Sequence, residues 1–245
     1  MSAFLRGMLV VTEKNVRIYY LKAPIIIFGL MFPLFMFLAF YLGRDLELSL
    51  FLPGFLAMAL FFTASSVGPL ITPWEKNAGT YERLLSFPVS INTVIMGDVV
   101  SGAIYGLLIT LVVIVPMLFV IDLTANALLF PIIFVAGSLC FASLGVLLAS
   151  PSVKSPPNIM MFSSLVRFPL IFISGVFIPL NELQGIGRYL SYLSPLTYLV
   201  DAFNFGTSSK NVFPIWIDII VLIAVTLVFI LVSGKFHKKN MMKGL

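Results

Sequence analysis

Six apolar runs, each about 20 residues long, lie along this chain at approximately 23–42, 50–71, 99–121, 127–149, 159–180 and 215–234. No other feature limits the fold so strongly. A hydrocarbon layer about 30 Å thick is crossed by about 20 residues of helix. In lipid the backbone must satisfy its own polar groups, which only helices and closed barrels achieve. The runs are continuous and lack the period-two alternation of barrel strands, so each is read as a helix. The ends are least defined for 99–121, which can begin near Ser90, and for 159–180, which carries Pro169 and Pro179. Composition agrees: the chain is 60% hydrophobic and only 10% charged, where a soluble domain carries about 25% charged residues. The expectation is an all-α integral membrane protein, a single domain over residues 1–245. The first run is too long for a signal-peptide core, and no small-residue cleavage site follows it, so it is read as retained.

Lysine and arginine set the orientation. With both termini inside, the inner segments hold eleven of these residues and the outer segments three, Arg44, Arg188 and Lys210, while Arg167 lies within a span. That bias predicts cytoplasmic termini and places residues 71–90 in the cytoplasm. The formal charge of +5 follows from the same loops. The basic residues form no clustered, aromatic-interleaved face, so a nucleic-acid partner is not expected. One cysteine, Cys140, excludes an intrachain disulfide, and one histidine, His237 in the tail, leaves a Cys/His metal site without ligands.

Residues 1–22 place Phe4, Leu5, Met8, Leu9, Thr12, Val16 and Tyr19 at helical spacing, with Arg6, Lys14 and Arg17 mostly off that face. This pattern suits a helix lying in the cytoplasmic interface; a loosely ordered basic leader is the other reading. The outer segment 181–214 alternates polar and apolar residues, then turns oily again at Pro195-Leu196-Thr197-Tyr198-Leu199-Val200 without reaching spanning length. Short helices dipping into the outer leaflet fit it better than a free loop.

No catalytic motif stands out. The G-x-x-x-x-G-K-[ST] phosphate loop, H-E-x-x-H and G-x-S-x-G are all missing from the sequence, so the chain itself is not read as an enzyme. Phe141-Ala142-Ser143-Leu144-Gly145 is a near miss whose small residues suit packing. Gly102-Ala103-Ile104-Tyr105-Gly106 is a G-x-x-x-G that lets two helix backbones approach, within the chain more readily than between chains. Ionisable residues in lipid each cost about 2.5–3.5 kcal/mol or more at the bilayer centre. Arg167 lies about 12 Å into the fifth run at 1.5 Å per residue. It lines a polar path, pairs with an acid such as Asp98, or snorkels to the cytoplasmic interface. Asp218, one turn inside the sixth run, is expected to be wetted from the outer surface.

The stretch ITPWEKNAGTYERLLSFPVS, residues 71–90, interrupts the oil with Glu75, Lys76, Glu82 and Arg83. Thr72-Pro73-Trp74-Glu75 has the form of a capping box with proline at the first helical position, which predicts a new helical start at Thr72. Asn77-Ala78-Gly79-Thr80 supplies a bend. Tyr81, Leu84, Leu85 and Pro88 then share one face, Glu82, Arg83 and Ser86 another. Pro88 ends this helix and Ser90 can cap the next. Two readings fit a short amphipathic helix tied at both ends: a connector resting on lipid headgroups, or a lever that docks into a partner and moves both spans.

Glu75, Gly79-Thr80, Glu82, Leu84-Leu85, Pro88-Val89-Ser90 and Gly97 resemble the loop pattern of type-2 ATP-binding-cassette (ABC) exporter permeases. Ser174-Gly175-Val176-Phe177-Ile178-Pro179-Leu180 and Ser194-Pro195-Leu196-Thr197-Tyr198-Leu199-Val200-Asp201 resemble that family's second hallmark. Order, spacing and the six runs agree with it over nearly the whole chain. Asp98 and Phe203-Asn204 depart from the basic residues common at those places. The resemblance implies six transmembrane helices, an N-terminal interfacial helix, a cytoplasmic coupling helix between spans two and three, and short re-entrant helices after span five. It places Glu75, Gly79, Thr80, Glu82, Arg83 and Leu84 in a coupling region spanning 72–90.

The function expected is the permease subunit of an ATP-driven exporter in the plasma membrane, moving a drug-like, lipid or other amphipathic substrate. The resemblance implies a cytoplasmic ATPase subunit that carries ATP and magnesium, a second permease chain, and no cofactor on this chain. Spans two and five line the route, with Ser163, Ser164, Arg167, Phe168 and Phe172 as candidate contacts. An ATPase-independent transporter or channel, and a membrane scaffold, are the competing classes.

Overall fold

The computed structural model describes residues 2–27, 31, 34–35, 38–39, 42, 48–87, 89–117, 128–151, 155–207 and 211–241. Among these residues there is no strand. The helices are α1 (Ala3–Tyr19), α2 (Ala23–Ile26), α3 (Leu48–Asn77), α4 (Thr80–Leu85), α5 (Ile91–Met117), α6 (Phe130–Leu148), α7 (Pro156–Phe172), α8 (Ile186–Ser191), α9 (Pro195–Thr207) and α10 (Ile215–Met241). Stretches of α3, α5, α6 and α10 are long and apolar enough to cross a membrane: Phe51–Asn77, Ile91–Val112, Phe130–Leu148 and Ile215–Lys239. They occupy the second, third, fourth and sixth expected runs. Most of the first run, the end of the third, residue 127 and Pro88 lie outside the described residues.

The helix ends differ from expectation in ways that matter for the site. No new helix starts at Thr72. α3 runs unbroken through Pro53, Pro69 and Pro73 to Asn77, and the buried Thr72 hydroxyl has no partner among the described residues. A mid-helix proline removes one backbone bond, which close packing on all sides can offset; Ile71, Thr72 and Glu75 are all buried. α7 stops at Phe172, short of residue 180, and Gly175 turns the chain with φ 79. α10 continues past its apolar run to Met241. That extension carries His237 into the interior at 3% exposure rather than leaving it in a tail.

The helix α3 is the centre, buried along its length from Leu52 to Ile71. It is gripped by α5 and α6 where side chains are smallest. A Cβ on Gly68 would meet the backbone carbon of Gly145 at 2.6 Å, and one on Gly145 would meet the Ser65 carbonyl at 2.6 Å. The Gly102/Gly106 pair faces α3 at Ala64, with a Cβ on Gly106 meeting that of Ala64 at 2.7 Å. The G-x-x-x-G is therefore an intrachain seam. Phe61 and Phe141 close the space above it edge to face at 4.9 Å. The helix α9 packs Leu196, Leu199, Val200 and Phe203 into the same core, and Phe203 meets Phe134 at 4.9 Å. By contrast α10 leaves Trp216, Ile220, Ile223, Leu227 and Leu231 exposed, as a lipid-facing surface requires.

The helix α1 begins at a Ser2 cap and buries Val11, Thr12, Asn15 and Tyr19. Phe4, Leu5 and Leu9, expected on the face that lies in the membrane interface, are exposed. The stripe against the protein is rotated from the apolar one because Asn15 and Thr12 find polar partners on α5.

Candidate coupling site

The bend between α3 and α4 is built from one glycine and one threonine. Gly79 has φ 66 and ψ 9, a left-handed conformation that costs other residues dearly. Its N–H donates to the Lys76 carbonyl at 3.2 Å. The Thr80 hydroxyl donates to the Glu75 carbonyl at 3.2 Å, one of the carbonyls that a helix end leaves unpaired. α4 follows with Tyr81 buried, Leu84 and Leu85 half-buried, and Glu82, Arg83, Ser86 and Phe87 exposed. On the far side the Thr93 N–H donates to the Ser90 hydroxyl at 3.2 Å, so Ser90 caps α5 as its sequence position predicts.

Several contacts hold this short helix and its stem in place. The Tyr81 ring receives the Lys76 ammonium 5.6 Å from its centroid and meets the His237 ring edge to face at 6.5 Å. Burial pushes the Tyr81 phenol above its ordinary range, and nearby Asp98, Glu75 and Glu82 add to the shift, so it stays protonated. Glu75, 4% exposed, does not reach back to Thr72; it accepts an ion-paired hydrogen bond from Lys14 of α1. Beside it, the Asn15 amide donates to Asp98 Oδ1 at 2.8 Å and to Ser101 Oγ at 3.0 Å. The Tyr20 hydroxyl donates to the Ser101 carbonyl. The Thr12 hydroxyl donates to the Gly97 carbonyl at 3.2 Å. The Tyr19 phenol is also raised, chiefly by burial and then by Glu75. A polar seam thus joins α1 to α3 and α5, and Tyr81 joins α4 to α10.

The candidate route residues divide. Ser163 and Arg167 are buried between α7 and α3. The Arg167 guanidinium donates from Nη1 to Ser66 Oγ at 2.9 Å and from Nε to the Ser163 carbonyl at 3.3 Å. It lies 5.6 Å from the Phe62 centroid. Ser164 donates back to the Met160 carbonyl at 3.0 Å. Phe168 is 39% exposed and Phe172 66%, both on the outward face. Arg167 does not pair with Asp98, whose carboxylate is held by Asn15; its head turns back towards the start of α7, to the Ser163 carbonyl and Ser66. Asp218 is not wetted either: it is fully buried, with neither carboxylate oxygen partnered among the described residues. The helix α9 covers it. Asp201 on α9 instead accepts the Val212 and Phe213 N–H groups at 2.8 Å each and fixes the approach to α10.

Ser66, Phe62, Asn15 and His237 are the residues that sequence reasoning missed. A serine in an apolar helix carries no local signal of what it will meet. Asn15 sits inside a face that reads as amphipathic, and only its zero exposure marks it.

The sequence profile of the family described as ABC-2 type transporter matches residues 8–206. The proteins named Inner membrane transport permease YadH of Escherichia coli (strain K12) and of Shigella flexneri are each 26% identical to this chain over 159 residues. The aligned region is 65% of this chain and 62% of the relative, so the chain spans less than two thirds of the length of the curated relatives it matches.

Proposed function

This chain belongs to the ABC-2 type transporter family, and on that premise we propose that it is the transmembrane permease subunit of an ATP-driven exporter. It crosses the plasma membrane six times with both termini in the cytoplasm. A cytoplasmic ABC ATPase, which binds ATP and magnesium, docks on residues 72–90, and a second permease chain completes the translocation path. The cargo is a drug-like, lipid or other amphipathic molecule moved outward. The observation that carries this reading is the anchoring of α4. A connector resting on headgroups has no need of a buried Tyr81 between Lys76 and His237, or of a stem ion-paired to α1. A lever needs both, together with an exposed face at Glu82 and Arg83 for its partner.

The test is purification from mild detergent. An ATPase of about 25–40 kDa, a typical single-domain size, is expected to copurify with the tagged chain. Replacing Glu82 and Leu84 by alanine is expected to leave membrane insertion intact and to abolish partner-stimulated ATP turnover. No copurifying ATPase, or full turnover in the double variant, overturns the reading.

One observation favours a second class. A stand-alone transporter carries charge near the midplane, and Arg167 is buried against the middle of α3. Substrate flux in vesicles free of any ATPase distinguishes that class, and a scaffold gives no flux under either condition.

A further inference from the structure

Arg167 is a cation held deep in the bundle, and among the described residues it has no counter-ion. Ser66, its partner, stands in the apolar run 50–71, sixteen residues from one end and five from the end that leads into residues 71–90. At 1.5 Å per residue the shorter distance is about 7 Å, so Ser66 lies inside a hydrocarbon layer about 30 Å thick, in its inner half. The 2.9 Å bond brings the guanidinium to the same depth. Among the described residues no carboxylate forms an ion pair with Arg167; the two ion pairs there join Lys14 to Glu75 and Arg17 to Glu13.

A guanidinium offers five N–H donors in a planar fork. Among the described residues two are taken, by a serine hydroxyl and a backbone carbonyl, both neutral. The face of Phe62 gives partial compensation for the charge. An uncharged amide could make both of those bonds. What arginine alone adds is a fixed positive charge and a fork matched to two oxygens of a carboxylate or phosphate. The residue keeps 4% of its surface open. On the next positions of α7, Ser164 is half-buried and Phe168 is 39% exposed, its ring 6.2 Å from that of Phe62. Beyond them Leu165, Met161 and Phe172 form an exposed apolar strip. A charged point beside an apolar strip is complementary to a molecule with an anionic head and an apolar tail.

We propose that Arg167 receives the anionic oxygen head group of the cargo, so that the substrate class is an amphipath headed by a carboxylate or phosphate. The word cargo rests on the permease reading; binding at Arg167 does not, and it can be measured with this chain and no ATPase. Ser163 and Ser66 position the guanidinium, and Phe168 with the strip beyond it takes the tail.

The experiment uses the full chain in phosphatidylcholine nanodiscs and three fluorescent nitrobenzoxadiazole probes: a labelled dodecanoate, its methyl ester and a labelled phosphatidic acid. The anionic probes are expected to bind at least tenfold more tightly than the ester. Arg167→Gln is expected to erase that preference and Arg167→Lys to keep part of it. Should R167Q fail to fold, Ser66→Ala serves instead: it retains the charge but removes a bond that positions the guanidinium, and is expected to narrow the preference. A purely structural arginine would lower the melting midpoint in these variants without changing the ratio between probes. A wild-type chain that binds ester and dodecanoate equally overturns the proposal without any variant, as does a preference that survives R167Q. Doping the nanodiscs with phosphatidylglycerol separates the sources. Displacement of the probes makes the occupant a membrane lipid, and retention makes it a free amphipath; the oxyanion site stands in either case.

Discussion

Gly145 shows how much a single missing methyl group decides here. Its α carbon faces the Ser65 backbone so closely that an added Cβ would lie 2.6 Å from a carbonyl oxygen, and neither backbone can move without its helix. Alanine is a better helix former than glycine by about 1 kcal/mol, yet overpacking a tight core costs about 1–3 kcal/mol. Gly145→Ala is therefore expected to lower the melting midpoint of the detergent-solubilised protein. Gly187 in α8 has no atom within 4 Å of the same position, so Gly187→Ala is expected to be neutral or slightly stabilising. Equal midpoints for the two variants would contradict the close approach of α3 and α6. At this scale the sequence is half legible. Gly145 and the Gly102/Gly106 pair are recognisable as packing residues, but that they meet Ser65 and Ala64 is a matter of helix rotation. Arg167 is likewise visible as an oddity in a span, while Ser66 is one hydroxyl among many.

Among the elements, α4 is the most legible and the most incompletely understood from sequence. Its bend at Gly79, its buried face at Tyr81 and the cap at Ser90 all follow from local chemistry. The misread start at Thr72 has an instructive cause. Thr-Pro-Trp-Glu carries the same local signal whether it begins a helix or continues one, and here the packing around Ile71 and Glu75 extends α3. What α4 leans on was hidden as well, because His237 lies beyond the end of the last apolar run. The contacts of Tyr81 with Lys76 and His237 are made by its ring. Tyr81→Phe is accordingly expected to retain partner-stimulated ATP turnover. Tyr81→Ala gives up a cation–π contact of about 0.5–2 kcal/mol and the burial of an aromatic side chain, and is expected to lose most of that turnover. An unaltered rate in Tyr81→Ala would remove the α4–α10 contact from the coupling path.

The whole molecule is arranged with α4 at one end of the bundle and α8 and α9 at the other. The lysine and arginine count predicts that the first end is the cytoplasmic one. Because Cys140 is the single cysteine and is buried, single-cysteine mapping has little background. A cysteine at Arg188, whose native side chain is exposed, is expected to react with a membrane-impermeant maleimide in intact cells. One at Glu82 is expected to react only after the membrane is opened. The reverse pattern would invert the topology and take α4 away from any cytoplasmic ATPase.

Taken alone, the sequence determined the solvent of this protein and the class of its fold, because lipid makes a demand on each segment separately: enough apolar residues in a row to satisfy its own backbone and span the layer. It also determined where the charged bend lies, since a glycine in the left-handed region and a serine at a helix start act within a few residues of themselves. Only the tertiary structure decided which polar groups meet. Asn15 with Asp98, Lys14 with Glu75, Tyr81 with His237 and Arg167 with Ser66 are separated by long stretches of chain. Their encounters depend on the depth and rotation of whole helices, which are set where glycine and alanine let two backbones touch.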